Sequence, residues 1–230
     1  MVPDIKKFDL QAIVKTGLDK ALDAQQPIAV DNIARLRRVH PDKSPAELLS
    51  YLNKIYLSAV TMTGAGAGAA AIIPNGFVQV PVAVVDLLTF LEASVLYTLS
   101  VAEVHGVDLE DVERRRFLVT AALLGDSVAS ATIEPILGRS VPYWSKKIIE
   151  SIPMTAINKA NKVLGPRFIT KYGTRQGVLV LGKQIPFFIG VGIGAGGNHV
   201  FGRLTIAATK KILGPAPRVW EGLDDAVSAS

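Results

Sequence analysis

From Ile55 to Val85, IYLSAVTMTGAGAGAAAIIPNGFVQVPVAVV, the chain carries no Asp, Glu, Lys or Arg, and it carries none again from Ile185 to Gly202. Charged side chains are spaced through most of the remainder, so these two stretches are the segments that must fold away from water. Glycines fall at four-residue intervals in each: Gly64 and Gly68 in the first, and Gly190, Gly194 and Gly202 in the second, with Asn198 filling the gap. On a helix that interval leaves a narrow side-chain-poor face on which another backbone can approach closely. Gly costs about 1 kcal/mol against Ala inside a helix, so rows of it imply a compensating contact. The pattern predicts helices packed tightly on one another at the centre of the fold.

The other elements follow from apolar spacing and punctuation. Ile5, Phe8, Ala12, Ile13, Leu18 and Leu22 space a helix over Asp4 to Gln25, with Pro27 as its stop. A short basic helix with Arg35, Arg37 and Arg38 is expected from Asp31 to His40. Ser44-Pro45-Ala46-Glu47 then reads as a capping box with proline at the first helical position. After Pro74-Asn75-Gly76, a long helix is expected from Val80 to Val104, its polar residues Asp86, Thr89, Glu92, Ser100 and Glu103 gathered in one stripe and the rest apolar. Asp108 is expected to cap the helix that continues through Arg114 to Leu124. Shorter helices are read at Ser127 to Leu137, Tyr143 to Ser151 and Thr155 towards Tyr172, and a final long one from Phe187 to Leu213, closed by Lys210, Lys211 and Gly214. The one strand-like run, Gly177 to Leu181, has no partner of its kind. The fold class expected is all-α: a single compact bundle of about eight helices around Gly/Ala-rich apolar central helices. Residues 1–230 form one domain, with 1–43 as amphipathic and basic N-terminal helices and 215–230 as a loose tail.

Charge changes this picture more than composition does. A 49% hydrophobic content and a mean hydropathy of +0.34 lie between a soluble protein and a polytopic membrane protein, and 230 residues suffice for one sizeable core. The net charge of +5 conceals an asymmetry: from Arg139 to Arg218 there are thirteen Lys or Arg and one acid, Glu150. A basic half of that kind favours an anionic partner, and Lys146, Lys147, Lys159, Lys162, Arg167 and Lys171 are its candidates for an anionic surface. There is no cysteine, which excludes disulfides, thiolate metal sites and a Cys nucleophile. The first residues lack the apolar core of a secretory signal, and a cytoplasmic protein is expected.

Candidate chemistry is sparse. Gly192-x-Gly194-x-x-Gly197 matches the dinucleotide fingerprint, and Gly64-x-Gly66-x-x-Ala69 its looser form, but neither has room for the strand and crossover helix that a nucleotide site needs. His40-Pro41-Asp42-Lys43 spells the tripeptide of J-domain co-chaperones without the helix pattern that should precede it, so a plain interhelical loop explains it. His40, His105 and His199 are isolated, no metal-ligand spacing occurs, and no catalytic residue, metal or cofactor is expected. The polar groups inside apolar helices are Asp86, Glu92, Asn198 and His199, flanked by Lys183 and Arg203. They form the candidate buried cluster or ligand site, with a structural pairing of Asp86 to His199, Asn198 or Lys183 preferred to catalysis.

Three stretches together resemble the EcsC family of bacterial proteins, its actinobacterial branch in particular. These are GAGAGAAAIIPNG from Gly64 to Gly76, FLEASVLYTLSVAEVHGVDLEDVER with the Arg116-Phe117-Leu118 that follows, and GKQIPFFIGVGIGAGGNHVFGRL from Gly182 to Leu204. The resemblance covers most of the chain after Arg35. It implies a helical, membrane-associated protein; the family has no assigned biochemical activity, so it transfers no catalytic residues. The expected function is non-enzymatic: peripheral association with an inner-membrane surface, or with a membrane transport or envelope assembly, through the basic C-terminal half. The alternatives are an integral membrane hairpin, and an enzyme or small-ligand binder using the polar residues between the central helices. Nucleic acid is not an expected partner, because the basic residues are not interleaved with aromatics.

Overall fold

The computed structural model describes residues 9–71, 76–137, 143–144, 146–173 and 190–220. Among them there are eight helices and no strand: α1 (Leu10–Val39), α2 (Pro45–Ala71), α3 (Gly76–Val104), α4 (Val112–Leu124), α5 (Asp126–Leu137), α6 (Lys146–Ser151), α7 (Met154–Gly173) and α8 (Gly190–Leu213). The all-α bundle expected from the sequence is what forms. The strand-like run at 177–181, Lys183 and the break at 72–75 lie outside the described residues.

α1 runs past its expected end. Asp9 caps it, its side chain accepting from the Ala12 amide at 3.0 Å, and residues 4–8 of the expected helix lie outside the described residues. Pro27 does not stop it, and the two helices expected are one. A proline inside a helix removes a hydrogen bond and costs about 3 kcal/mol. Here the buried row Val14, Leu18, Leu22, Ala29, Ile33 and Leu36 keeps its register across Pro27, and burial along that seam outweighs the break.

The capping box opens α2 as expected. The Ser44 amide and hydroxyl both donate to Glu47 Oε2, at 2.8 and 2.7 Å, and Ser44 Oγ receives the Glu47 amide at 3.4 Å. Those Ser44 bonds hold the Glu47 carboxyl below its ordinary value. α4 is capped by Asp111, which accepts from the Arg114 amide at 2.9 Å; Asp108 instead folds back on the Glu110 amide. The expected cap was one turn early because Val107 and Leu109 are buried and pin the intervening chain against the core. Gly125 and Gly214, at φ of +99° and +82°, terminate α4 and α8 in a backbone conformation that other residues adopt with strain.

The helices form two layers. In one, α2 runs antiparallel to both α3 and α8: Asn53 meets Tyr97, Tyr56 meets Ser94, and Thr61 meets His199. In the other, α4 and α7 run side by side in the same direction, linked by Asn161 to Glu113 and Lys171 to Leu123. α1 lies between the layers, packing on α3 with Gly17 against Leu88 and on α7 with Gly173 against Gln11. One continuous core results, with Phe90, Phe117 and Phe168 among its largest fully buried side chains.

A loose tail is expected over residues 215–230. Residues 215–220 are tied down: Trp220 Nε1 donates to the Lys43 carbonyl at 2.9 Å, and the Arg37 guanidinium sits 4.5 Å from the Trp220 ring centre. An amphipathic indole carries enough apolar area and one donor to anchor a short irregular segment. Residues 221–230 lie outside the description.

Candidate functional site

The α2–α8 seam is where the glycines act. A Cβ on Gly202 would stand 2.8 Å from Val60 Cγ2 and 3.0 Å from Leu57 Cδ1, so the two helices meet at a distance only glycine permits. The surroundings of Gly64, Gly68, Gly190 and Gly194, expected on the same face, lie outside what is described. Both dinucleotide-like runs are inside these helices, not at strand-to-helix turns, which removes the nucleotide reading.

The expected polar cluster divides. Asn198, buried in the seam, donates through Nδ2 to Asp86 Oδ1 at 3.0 Å, joining α8 to α3. Burial raises the Asp86 carboxyl above its ordinary value, and the Asn198 hydrogen bond offsets part of that rise. His199 turns the other way, its Nδ1 lying 3.1 Å from Thr61 Oγ1; because Thr61 donates to the Leu57 carbonyl at 2.6 Å, its oxygen is the acceptor and Nδ1 carries the proton. Glu92 and Arg203 are exposed. The structure therefore does not gather these residues into one ligand pocket: Asp86 and Asn198 form a pair, His199 pins the helix crossing, and Glu92 and Arg203 face outward. Among the described residues no group of three or more His, Asp or Glu side chains converges to hold a metal.

The basic half is partly a surface. Lys159, Lys162 and Arg167 are exposed on α7, whose opposite face buries Ile157, Ala160, Leu164, Phe168 and Tyr172; Lys147 on α6 is exposed as well, and Lys146 is half-buried. Lys171 is exposed too, but its head group is engaged. Its ammonium donates to the carbonyls of Leu123 and Leu124, at 2.8 and 3.3 Å, and so satisfies the open C-terminus of α4, where a cation is favoured by the helix dipole. Desolvation there lowers its pKa. The arginines of α4 are occupied in the same way: Arg115 pairs with Asp23 at 3.5 Å, Arg116 with Asp19 at 3.0 Å, and Arg114 donates to the Ile149 carbonyl.

What the sequence reading missed is how much apolar surface stays in view. Met62 on α2 is 73% exposed, Val85 on α3 62%, and Val200 and Leu204 on α8 53% and 58%. By the antiparallel register, Met62, Val85 and Val200 belong to the same end of their layer, the end that the uncharged segments of all three helices occupy. Arg203 is exposed between Val200 and Leu204. Periodicity could have shown this: Val200, Arg203, Leu204 and Ala207 lie along one face of α8, opposite the buried Asn198, Gly202, Thr205 and Thr209. Next to it a cavity of about 390 Å³ opens between the ends of α4 and α7 and the outer side of α8, lined by Leu124, Lys171, Tyr172, Leu204 and Lys211.

Among the described residues one stretch, Val84–Val104 of α3, is long and apolar enough to cross a membrane. Much of its apolar surface is taken by protein, since Leu87, Phe90, Leu91, Val95, Leu99 and Val101 are buried against neighbouring helices while Val85 stays exposed. No family model, curated protein or solved structure matches the chain.

Proposed function

We propose that the protein is a non-enzymatic, EcsC-like helical protein that docks peripherally on an anionic membrane surface. The observation that carries this reading is the outward face of α8, where Arg203 is flanked by exposed Val200 and Leu204, with exposed Met62 and Val85 at the same end of the layer. Large apolar side chains gathered at one end of a fold mark an interaction surface, and an arginine among them can keep its charge at the head groups while its stem lies on apolar surface. Seating a Val, Leu or Met fully in an apolar phase yields about 1.5–3 kcal/mol, and each cation near an anionic leaflet adds about 1 kcal/mol. Lys159, Lys162 and Arg167 on α7 supply exposed cations of the second kind. Neither contribution alone anchors a protein; together they do so reversibly.

The integral hairpin is the weaker reading because α3 presents its apolar positions to α1 and α2. Flotation with vesicles made with and without anionic lipid tests the proposal. The wild type should float with anionic vesicles and be released by high salt. Val200→Ser with Leu204→Ser should abolish flotation while helicity is unchanged, and Lys159→Ser with Lys162→Ser and Arg167→Ser should weaken it. No flotation of the folded wild type would overturn membrane docking and leave the same apolar face to a protein partner. Flotation that survives 1 M salt on neutral vesicles would restore the hairpin.

A further inference from the structure

At the other end of the same layer, a cavity of about 290 Å³ lies between the first turns of α2, the last turns of α3 and the chain leaving α8. Its walls are Ala46, Leu49 and Val101 with Pro215 and Ala216, and its polar groups are Ser50, Asn53, Tyr97, His105 and Lys210. Each polar group has a defined role. The Tyr97 ring is fixed by stacking on Tyr56, with centres 4.4 Å apart and planes 17° from parallel, and its hydroxyl donates to Asn53 Oδ1 at 2.7 Å. That bond occupies the amide oxygen and leaves the Asn53 Nδ2 donors without a described protein partner. His105 Nδ1 lies 2.8 Å from the Val101 carbonyl, which can only accept, so Nδ1 bears the proton and Nε2 is a bare acceptor. Nε2 is buried and no described group satisfies it. Lys210 is exposed at the cavity and has no ion-pair partner among the described residues.

An amide donor without a described protein partner and an ammonium without a described ion pair line one small space with apolar walls, as in sites for small molecules. The surroundings are cationic. An adjoining groove shares Ala46 and Ser50 with the cavity and adds Lys43 and Lys54 against one acid, Glu47, which is held by Ser44. The outer wall is fastened, since the segment that supplies Pro215 and Ala216 is clasped at Trp220 by the Lys43 carbonyl and Arg37. We propose that this cavity binds a small organic anion, with Lys210 and the Asn53 amide taking its phosphate or carboxylate group and its carbon skeleton lying against Leu49, Val101 and Pro215.

Titration calorimetry and thermal shift with glycerol 3-phosphate, malate, inorganic phosphate and glycerol test it. Wild type should bind glycerol 3-phosphate or malate saturably, inorganic phosphate more weakly, and glycerol not at all. Lys210→Met, a change at an exposed position, should weaken binding at least tenfold, and Asn53→Leu should do the same if it keeps wild-type helicity. Trp220→Ala should weaken every anion by freeing the wall. Equal stabilisation of wild type and Lys210→Met would identify general exclusion of the anion from the protein surface and overturn the site. So would the absence of saturable binding by all the anions. Vesicle flotation of Lys210→Met, whose substitution lies at the opposite end from Met62 and Val200, should be unchanged, which separates this test from that of membrane docking.

Discussion

The two layers of the bundle are held together by different physics. Between α1, α4 and α7, large rings fill the core and charge sets the register: Phe117 stacks on Trp144 at 5.3 Å, Phe168 leans on Tyr172 at 4.8 Å, and Asp19 and Asp23 of α1 face Arg116 and Arg115 of α4. Between α2, α3 and α8 there is no ion pair among the described residues. Glycine brings backbones together, and neutral groups do most of the pairing: Tyr56 with Ser94, Tyr97 with Asn53, Asn198 with Asp86, His199 with Thr61. The charged layer turns cations and acids to water, with Ile28 and Val39 of α1 and Val163 of α7 exposed among them. The neutral layer leaves Met62, Val85, Val200 and Leu204 uncovered. One layer meets water largely through charge, whereas the other does so in part through bare aliphatic side chains.

The sharpest way to break this contrast is by volume. Phe117 is fully buried, so Phe117→Ala should destabilise by about 3–5 kcal/mol, read as a lower urea midpoint at unchanged slope. A loss under about 1 kcal/mol would mean that the α4–α7 layer does not depend on its rings. In the neutral layer closeness replaces volume, and Gly202→Leu should cost about 1–3 kcal/mol by forcing α8 off Val60 and Leu57. Wild-type stability in that variant would show that the glycine face is incidental.

The smallest effect concerns Asp86. Its folded-state pKa is raised, chiefly by burial, so the protonated carboxyl is the form the fold prefers. The resulting stabilisation is full below the ordinary carboxylate value and is lost as pH rises through the raised one. An asparagine in its place would keep an oxygen for Asn198 without a charge. Asp86→Asn should therefore flatten that part of the stability–pH curve and match or slightly exceed wild-type stability at neutral pH. Glu103, also raised by burial, retains its own slope in both proteins, so the difference between the curves isolates Asp86. A steeper curve in the variant would contradict the assignment.

What could be read from the sequence followed from local chemistry. The capping box at Ser44 and the glycine stop at Gly214 are encoded within a few residues of where they act and appear where expected, and the long apolar α3 ends at Val104 as expected but starts at Gly76 rather than Val80. Pro27 misled because its local cost is outweighed by a seam with α3 that no window around residue 27 contains. Lys171 misled for the same reason: its acceptors, Leu123 and Leu124, are 48 and 47 residues away. The pairing of Asp86 with α8 was visible because an apolar helix offers a carboxylate few partners, and Asn198 is one of the three expected. His105 passed as an isolated histidine, since only the fold places it beside Asn53 and Lys210.

The crossing of α2 and α8 also sets a clock. Thr61 and His199 are 138 residues apart in the chain, so at synthesis rates of about 5–20 residues per second, α2 waits roughly 7–28 s for the helix that covers its glycine face. Throughout that interval the longest uncharged stretch of the protein has left the ribosome without its final partner. Contacts this distant in sequence also close slowly once both halves exist. A nascent chain with such an exposed segment is a natural client for a chaperone or for a membrane surface. If the surface that receives the finished protein also shelters the unfinished one, depletion of that surface should appear first as insoluble half-made chains, before any loss of the folded protein.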